Sequence, residues 1–484
     1  MLNSEEPSLP AVDSGANGNG GLQRGILSGT GRGVGIFWRS AAAKKGQRAL
    51  KRLHARLSAT ARRVSDNRAE EVGFTRFFRN EYVTVREILE TAAARTNQAA
   101  AGRHVLVIQD TSEINYQAKA GRKRNLGHVG NGTDAGLFVH PALAVDAEDG
   151  SVLGLAAATI WRRTKVKDPD YQKLPIEEKE SHRWIVTPVA AREALREAAL
   201  VTQVSDRESD IYELFARVPD ERTHVLVRAH HDRKLNKVGK SLFKTIAAQP
   251  VAGFIEFDLV GRPGRLARKV TLTVRFCEVA LRQPRPGADP RDPRRLTLTA
   301  VEVAEENPPP GEDPILWRLL TTHRVASLED ARRIVDWYRL RWTIEQLFRT
   351  LKSQGIALEE SLIADGEALE RLAAAAMVAA CMVMQLVHGR GEAGRRHKAS
   401  RLFSPDEIKT LKALIAKYQG KTEKQKNPHP PGTLAWAAWC IARLGGWNGY
   451  AKERPPGPIT FARGLQRFHA IAEGYELATH RKRS

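Results

Sequence analysis

The sequence predicts an α/β protein: a mixed sheet carrying helices, with a β-rich insertion and helical regions at both ends. Three observations predict it. Between His104 and Arg228, short runs rich in β-branched residues alternate with stretches of helical periodicity. From Phe254 to Val303, alternating apolar and polar segments are separated by Pro- and Gly-rich loops. From Asp336 onward, helical spacing dominates almost to the carboxy terminus. A chain of 484 residues exceeds one compact core, so two or three domains are expected.

Residues 1–40 are rich in Gly, Ser and Asn and poor in aromatics, which reads as a disordered tail. Residues 41–100 read as a helical region. Its basic, alanine-rich first part carries Lys44, Lys45, Arg48, Lys51, Arg52, Arg56, Arg62 and Arg63, and fits either a DNA-contacting helix or a solvated one. Thr84 is placed to cap a helix over 85–95. An α/β core follows over 101–360. His104 to Gln109 is a buried strand, and Gly136–Val145 with Val152–Trp161 forms a hairpin about Asp149-Gly150. A helix runs from Pro188 to Ala198, with Thr187 as its cap and Pro188 in the first position, where a missing N–H costs nothing. Leu200–Val204 is a strand, Asp210–Arg217 a helix with Asp210 placed to cap it, and His224–Arg228 a fifth strand. Strand, strand, strand, helix, strand, helix, strand, helix is the order expected of an RNase H-like mixed sheet.

Phe254–Leu259, Val270–Val279 and Leu296–Val303, with loops at 283–293 and 307–314, read as an inserted β-subdomain at about 235–325. Residues 361–484 are a helical carboxy-terminal region, with helices at Leu369–His388, Pro405–Tyr418, Leu434–Leu444 and Phe461–Leu477, and a linker at 419–432. The most apolar run, Leu372 to Val387, falls short of the roughly 18–20 residues a membrane span needs and reads as a buried helix.

Lys and Arg number 77 against 55 Asp and Glu, a net charge of +22, which favours a polyanionic partner, DNA or RNA. An acidic membrane surface lacks the basic amphipathic helix or lipidation motif it would need. Cys277, Cys381 and Cys440 have neither zinc spacing nor a disulfide framework, which suits a reducing cytoplasm. The amino terminus has no signal-peptide pattern. Gly127-x-x-Gly130-x-Gly132 does not open a helix and is weak evidence for a nucleotide cofactor.

The most informative stretch is Asp336 to Lys352. At roughly 100° per residue, Tyr338, Arg341, Glu345 and Lys352 fall within an arc of about 60°. Trp337, Leu340, Ile344, Leu347, Phe348 and Leu351 fill the neighbouring arc. One carboxylate flanked by two cations and a phenol suits metal-dependent phosphodiester chemistry; an amphipathic helix with solvated charges has the same pattern. Asp110 ends one predicted strand and Asp206 follows another, at the strand ends where α/β sites collect. With a third acid from a helix they could cage divalent cations. Glu113, Glu208 and Asp210 compete for that role, Glu208 as the partner of an arginine instead; on the residues alone, Asp206 and Asp210 stay open.

Tyr338-x-x-Arg341-x-x-x-Glu345-x-x-x-x-x-x-Lys352 resembles the signature of the DDE transposases of bacterial cut-and-paste insertion sequences, the hairpin-forming group with an RNase H-like core. Val105-Leu-Val-Ile-Gln-Asp110-Thr and Val201-Thr-Gln-Val-Ser-Asp206-Arg-Glu-Ser-Asp210-Ile resemble its first and second catalytic segments, and the likeness runs from about Phe74 to about Leu477. The resemblance implies that Asp110, Asp206 and Glu345 are the catalytic triad and hold two Mg²⁺ ions, with Mn²⁺ as substitute. It implies phosphate contacts from Tyr338, Arg341 and Lys352, handling of a flipped base by Trp317 and Trp342, and a strand-end DNA contact from Arg228. Arg76 and Arg79 lie in Phe74–Thr84, which resembles the end-binding segment. Gly432–Gly446 resembles a helical region that pairs two protomers. Expected partners are double-stranded DNA, as element terminal inverted repeats and target, and a second copy in a synaptic complex; the expected setting is the bacterial cytoplasm, at the nucleoid. Asn125–Gly132 resembles a flexible segment of the family. The family's Gly-Asp-x-Arg turn has only a loose echo in Gly46-Gln47-Arg48, which leaves a DNA-binding regulator that does not cut as the alternative.

Overall fold

The computed structural model describes residues 50, 52–163, 171–235, 240–259, 266–284, 289–450 and 453–480. The expected tail at 1–40 and the Gly46-Gln47-Arg48 echo lie outside them.

Two longer helices lead in, after a short one at Ala61–Val64. In α1 (Arg68–Arg79), Asn67 accepts from the Glu70 N–H; α2 (Val85–Ala100) opens with a reciprocal capping box between Thr84 and Glu87 and runs past Arg95. The sheet then builds from β1 (His104–Gln109), β2 (Ser112–Asn115), β3 (Gly127–Val129), β4 (Asp134–Asp146) and β5 (Val152–Trp161). Asn125–Gly132 is therefore partly strand: β3 pairs antiparallel with the start of β4, turned by Gly130 and Gly132 at φ 59° and 88°. Next come α3 (Arg183–Ala194), β6 (Leu200–Ser205), α4 (Tyr212–Arg217) and β7 (Thr223–Arg228).

Two local expectations are corrected. The α3 helix starts at Arg183, so Pro188 sits inside it and Thr187 is no cap; its hydroxyl bonds that of Thr159 at 2.7 Å. Burial of Trp184 and Ile185 carries the helix through the proline, which local preference alone would make its start. Asp210 does not cap α4 either. Its buried carboxylate accepts from the N–H groups of His230 and His231 at 2.7 and 2.9 Å and pairs with Arg233.

After α5 (Leu242–Ala247) come β8 (Gly253–Leu259), β9 (Arg268–Arg282), β10 (Arg295–Ala304) and β11 (Leu316–Thr321). These strands make up most of the β-rich insertion expected at about 235–325, and they join the core sheet. β11 pairs antiparallel with β7, so the insertion extends the core into one sheet of eleven strands among the described residues, in the order β2-β4-β1-β6-β7-β11-β10-β9-β8, with β3 and β5 also on β4. The β5-β4-β1-β6-β7 portion has β1, β6 and β7 parallel and β4 antiparallel, a mixed sheet that fits an RNase H-like core. Alternation sets the faces: Leu106 and Ile108 of β1 join the core shared with the later helices, while Val105 and Val107 share a core with Ala191 of α3 and Leu195 just beyond its end.

The stretch read as one helix from Asp336 is two, α6 (Leu328–Arg339) and α7 (Thr343–Lys352), joined by a tighter 3₁₀ turn at Leu340–Trp342. Beyond lie α8 (Gly366–His388), α9 (Pro405–Tyr418), α10 (Leu434–Leu444) and α11 (Pro458–His480). At 23 residues α8 is longer than the apolar run suggested, and by length and composition it could cross a membrane. It is instead inside the protein, with 78% of its apolar window buried and Gln385 donating to the Leu153 carbonyl at 2.7 Å.

Candidate active site

Register places the acids. Ile108 pairs with Val204 between parallel β1 and β6, and Asp110 and Asp206 each lie two residues beyond that pair. Ser205 pairs with Val227, so Arg228 follows on the next strand at the same sheet edge. The α6–α7 pair lies across this edge and contributes Tyr338, Arg341 and Glu345.

Asp110 is buried. Its Oδ1 accepts from the Thr111 N–H at 2.7 Å and its Oδ2 from Arg341 Nη1 at 2.8 Å. The same Arg341 nitrogen stands 4.0 Å from Glu345 Oε1. Asp206 Oδ1 accepts from the Glu208 N–H at 3.0 Å, capping a 3₁₀ turn. Burial raises Asp110 well above the usual carboxylate range; Asp206 and Glu345 raise it further, and Arg341 opposes them. For Arg341, burial favours loss of its proton, but Asp110, Tyr338, Asp206 and Glu345 together hold the charge on. Three acids whose mutual repulsion is offset by one guanidinium are a donor set suited to a hard divalent cation.

Tyr338 is buried, its ring meeting Trp317 edge-on at 5.7 Å, and burial raises its phenol pKa. Arg228, whose pKa burial lowers, donates to the Leu316 carbonyl at 3.2 Å and lies within hydrogen-bonding reach of Tyr338. Trp317 is only 6% exposed and also stacks toward Phe257 at 6.5 Å. Trp342 is half-buried with the Arg349 guanidinium 5.4 Å from its ring. Lys352 lies two turns beyond Glu345, about 10 Å along the helix axis. Arg76 and Arg79 are exposed on α1, away from this edge in sequence and element. Of the competing acids, Glu208 pairs with Arg183 at 2.9 Å, and Glu113 accepts from the Gly130 N–H at 2.6 Å.

Asp146, Asp149 and His397 also bring possible ligand atoms within 4.8 Å of one another. That group is at the other sheet edge, since Asp146 pairs with Val105. It is already compensated: Arg103 pairs with Asp146 at 2.5 Å, and although burial would raise Asp149, hydrogen bonds from His397 and Ser151 bring it to about 2. Its charges are satisfied, so it is the weaker cation candidate.

Arg183, Thr111 and His140 have no marker in the sequence, yet they form a connected group beside Asp110 that Arg183 links to Glu208. Arg183 Nε donates to Thr111 Oγ1 at 2.9 Å, and that hydroxyl bonds His140 Nδ1 at 2.9 Å. Burial, then Arg183, keeps His140 well below its ordinary pKa and hence neutral. Residues 177–382, which carry Arg183, Asp206, Arg228, Trp317, Tyr338, Arg341, Trp342, Glu345 and Lys352 but not Asp110, match the family model described as Transposase DDE domain, and the match supports a DDE transposase.

Proposed function

We propose that this chain is a divalent-metal-dependent cut-and-paste transposase that nicks the ends of its element, closes DNA hairpins and joins the freed ends to target DNA. The observation that carries this reading is Arg341 set between Asp110 and Glu345, with Asp206 on the adjacent strand end. Asp110, Asp206 and Glu345 would hold two Mg²⁺ ions, for which Mn²⁺ can substitute. Bound there, such ions activate an attacking oxygen and stabilise a leaving one. No nucleotide cofactor is required for phosphoryl transfer alone.

The chain's own residues bind and orient. Arg341 is shared between the acids and a scissile phosphate, a bidentate role its planar fork suits. Tyr338, held by Trp317 and Arg228, donates to a phosphate oxygen. Lys352, two turns further along the same helix face, takes the next phosphate along the strand, and Arg228 a strand-end contact. Trp342 offers a half-open ring to an extruded base. Arg76 and Arg79 approach the element ends from α1. The protein works as a homodimer on terminal inverted repeats in a synaptic complex, paired through its carboxy-terminal helices, in the cytoplasm at the nucleoid.

The test is Glu345→Gln with purified protein, Mg²⁺ and a fragment carrying the element ends. Loss of cleavage with retained DNA binding is expected. Undiminished cleavage by the variant rejects the assignment, and a wild-type protein that binds ends without cutting them is a regulator instead.

A further inference from the structure

One arginine from outside the triad bonds a residue just after each of the two strand-end acids. Arg183 is the first residue of α3, and its guanidinium lies between Trp161 at 5.5 Å and Trp184 at 5.3 Å. Its side chain is 11% exposed. Each of its three nitrogens donates to a different segment: Nε to Thr111 Oγ1 at 2.9 Å, Nη1 to the Glu180 carbonyl at 3.0 Å, and Nη2 to Glu208 Oε2 at 2.9 Å. Thr111 and Glu208 are also the residues whose backbone N–H groups donate to Asp110 Oδ1 and Asp206 Oδ1. The same relation therefore occurs twice: Arg183 holds a side chain, and that residue's amide holds a candidate ligand.

We propose that Arg183 is a positioning residue that sets the separation and orientation of Asp110 and Asp206 for divalent-cation binding, acting through Thr111 and Glu208. The inference rests on the triad reading above. A planar fork packed against two indole rings and bonded at all three nitrogens has few ways to move, so it transmits one geometry to both loops. Lysine has three donors but on one nitrogen and without the planar fork, so it cannot hold Thr111 and Glu208 in the same geometry. Partners that orient metal ligands in this way typically change metal affinity by about 10- to 100-fold when removed.

The test is Mn²⁺ binding to the full chain, followed by the free-ion EPR signal during titration, with a thermal melt of each variant in EDTA as the folding control. Asp206→Asn should abolish or strongly weaken binding. Arg183→Gln should raise the Mn²⁺ Kd about 10- to 100-fold, and Arg183→Lys should recover little of it. Thr111→Val, nearly isosteric, should weaken binding while Thr111→Ser keeps wild-type affinity; this pair decides the matter should Arg183→Gln not fold. If Asp206→Asn loses Mn²⁺ but Arg183→Gln and Thr111→Val bind it like wild type, the positioning role is wrong and the triad reading stands. If Asp206→Asn binds Mn²⁺ as wild type does, the triad reading fails and the inference falls with it.

Discussion

Arg341 donates to Asp110 across 231 residues of sequence, at 2.8 Å, and both side chains are about one-eighth exposed. A buried ion pair of this kind is weak evidence for stability, because desolvating both charges offsets their attraction. Here the pair sits beside two more acids, so the arginine moderates a repulsion that the fold would lose nothing by removing. The site is thus set against stability, as expected where function and packing compete.

Asp206→Asn should therefore stabilise the protein while abolishing cleavage. Asparagine can still cap the Glu208 N–H, so the main change is removal of a charge that raises Asp110. A carboxyl whose folded pKa is raised costs stability once pH exceeds its unfolded value, because the unfolded chain then releases a proton that the fold retains. The penalty is absent below the ordinary carboxylate range, grows as pH rises toward the folded value and levels off above it. In EDTA the variant should melt a few degrees higher at pH 8, on the order of 1 kcal/mol, and the gain should fade by about pH 4. Calorimetry at both pH values checks this, and a lower melting point at pH 8 would contradict it.

Acid should destabilise the opposite sheet edge. His224 and His323 stack at 3.9 Å, and His104 and His323 both bond the Thr202 hydroxyl at 2.8 Å beneath Trp337. Burial, then the neighbouring His224, lowers His104 to about 4 and His323 to about 3; burial also lowers His224. A histidine with a lowered folded pKa is protonated first in the unfolded chain. Stability is then intact above about 6.5 and is lost as pH falls from there toward 3–4. Unfolding midpoints in urea between pH 7.5 and 4.5 should fall, and His323→Asn should flatten the slope. A slope unchanged by that substitution would place the acid sensitivity elsewhere.

Gly154→Ala should destabilise by about 1–3 kcal/mol. Gly154 has φ +147°, and an added Cβ would meet Thr96 Oγ1 at 2.4 Å, where that hydroxyl donates to the Leu155 carbonyl. The contact joins α2 to β5. Urea titration measures the loss, and Gly154→Ala combined with Thr96→Ala should cost less than the two single changes together. Full additivity would mean that backbone strain, not the clash, sets the cost.

What the sequence made legible was local. The strand before Asp110, the strand before Asp206 and the periodic stretch from Asp336 each carry their signal within a few residues, and the structure has strands and helices there. The extension of the sheet through β11 was not legible, because Leu319 pairs with Arg228 from far along the chain. Asp210 has the local pattern of a cap, but its charge is satisfied by Arg233 and by two distant amides. Arg183 carried no signal at all. Its significance lies in partners 72 residues before it and 25 after, and no window of sequence contains both.

The two tryptophans should now separate. Both resemble positions that handle a flipped base, but Trp317 is covered by Phe257 and Tyr338, while Trp342 is half-open beside Arg341. An aromatic platform returns roughly 1–3 kcal/mol per stacked base. Trp342→Ala should therefore spare first-strand nicking and slow hairpin formation on the order of ten- to a hundredfold. Trp317→Ala empties a buried site at a cost of about 3–5 kcal/mol, removes the ring that supports Tyr338, and should slow nicking and hairpin formation alike. A time course on a denaturing gel, run well below each variant's melting point, resolves nicked from hairpin products. If Trp317→Ala delays only the hairpin, its ring becomes uncovered on DNA and the stacking role belongs to Trp317 rather than Trp342.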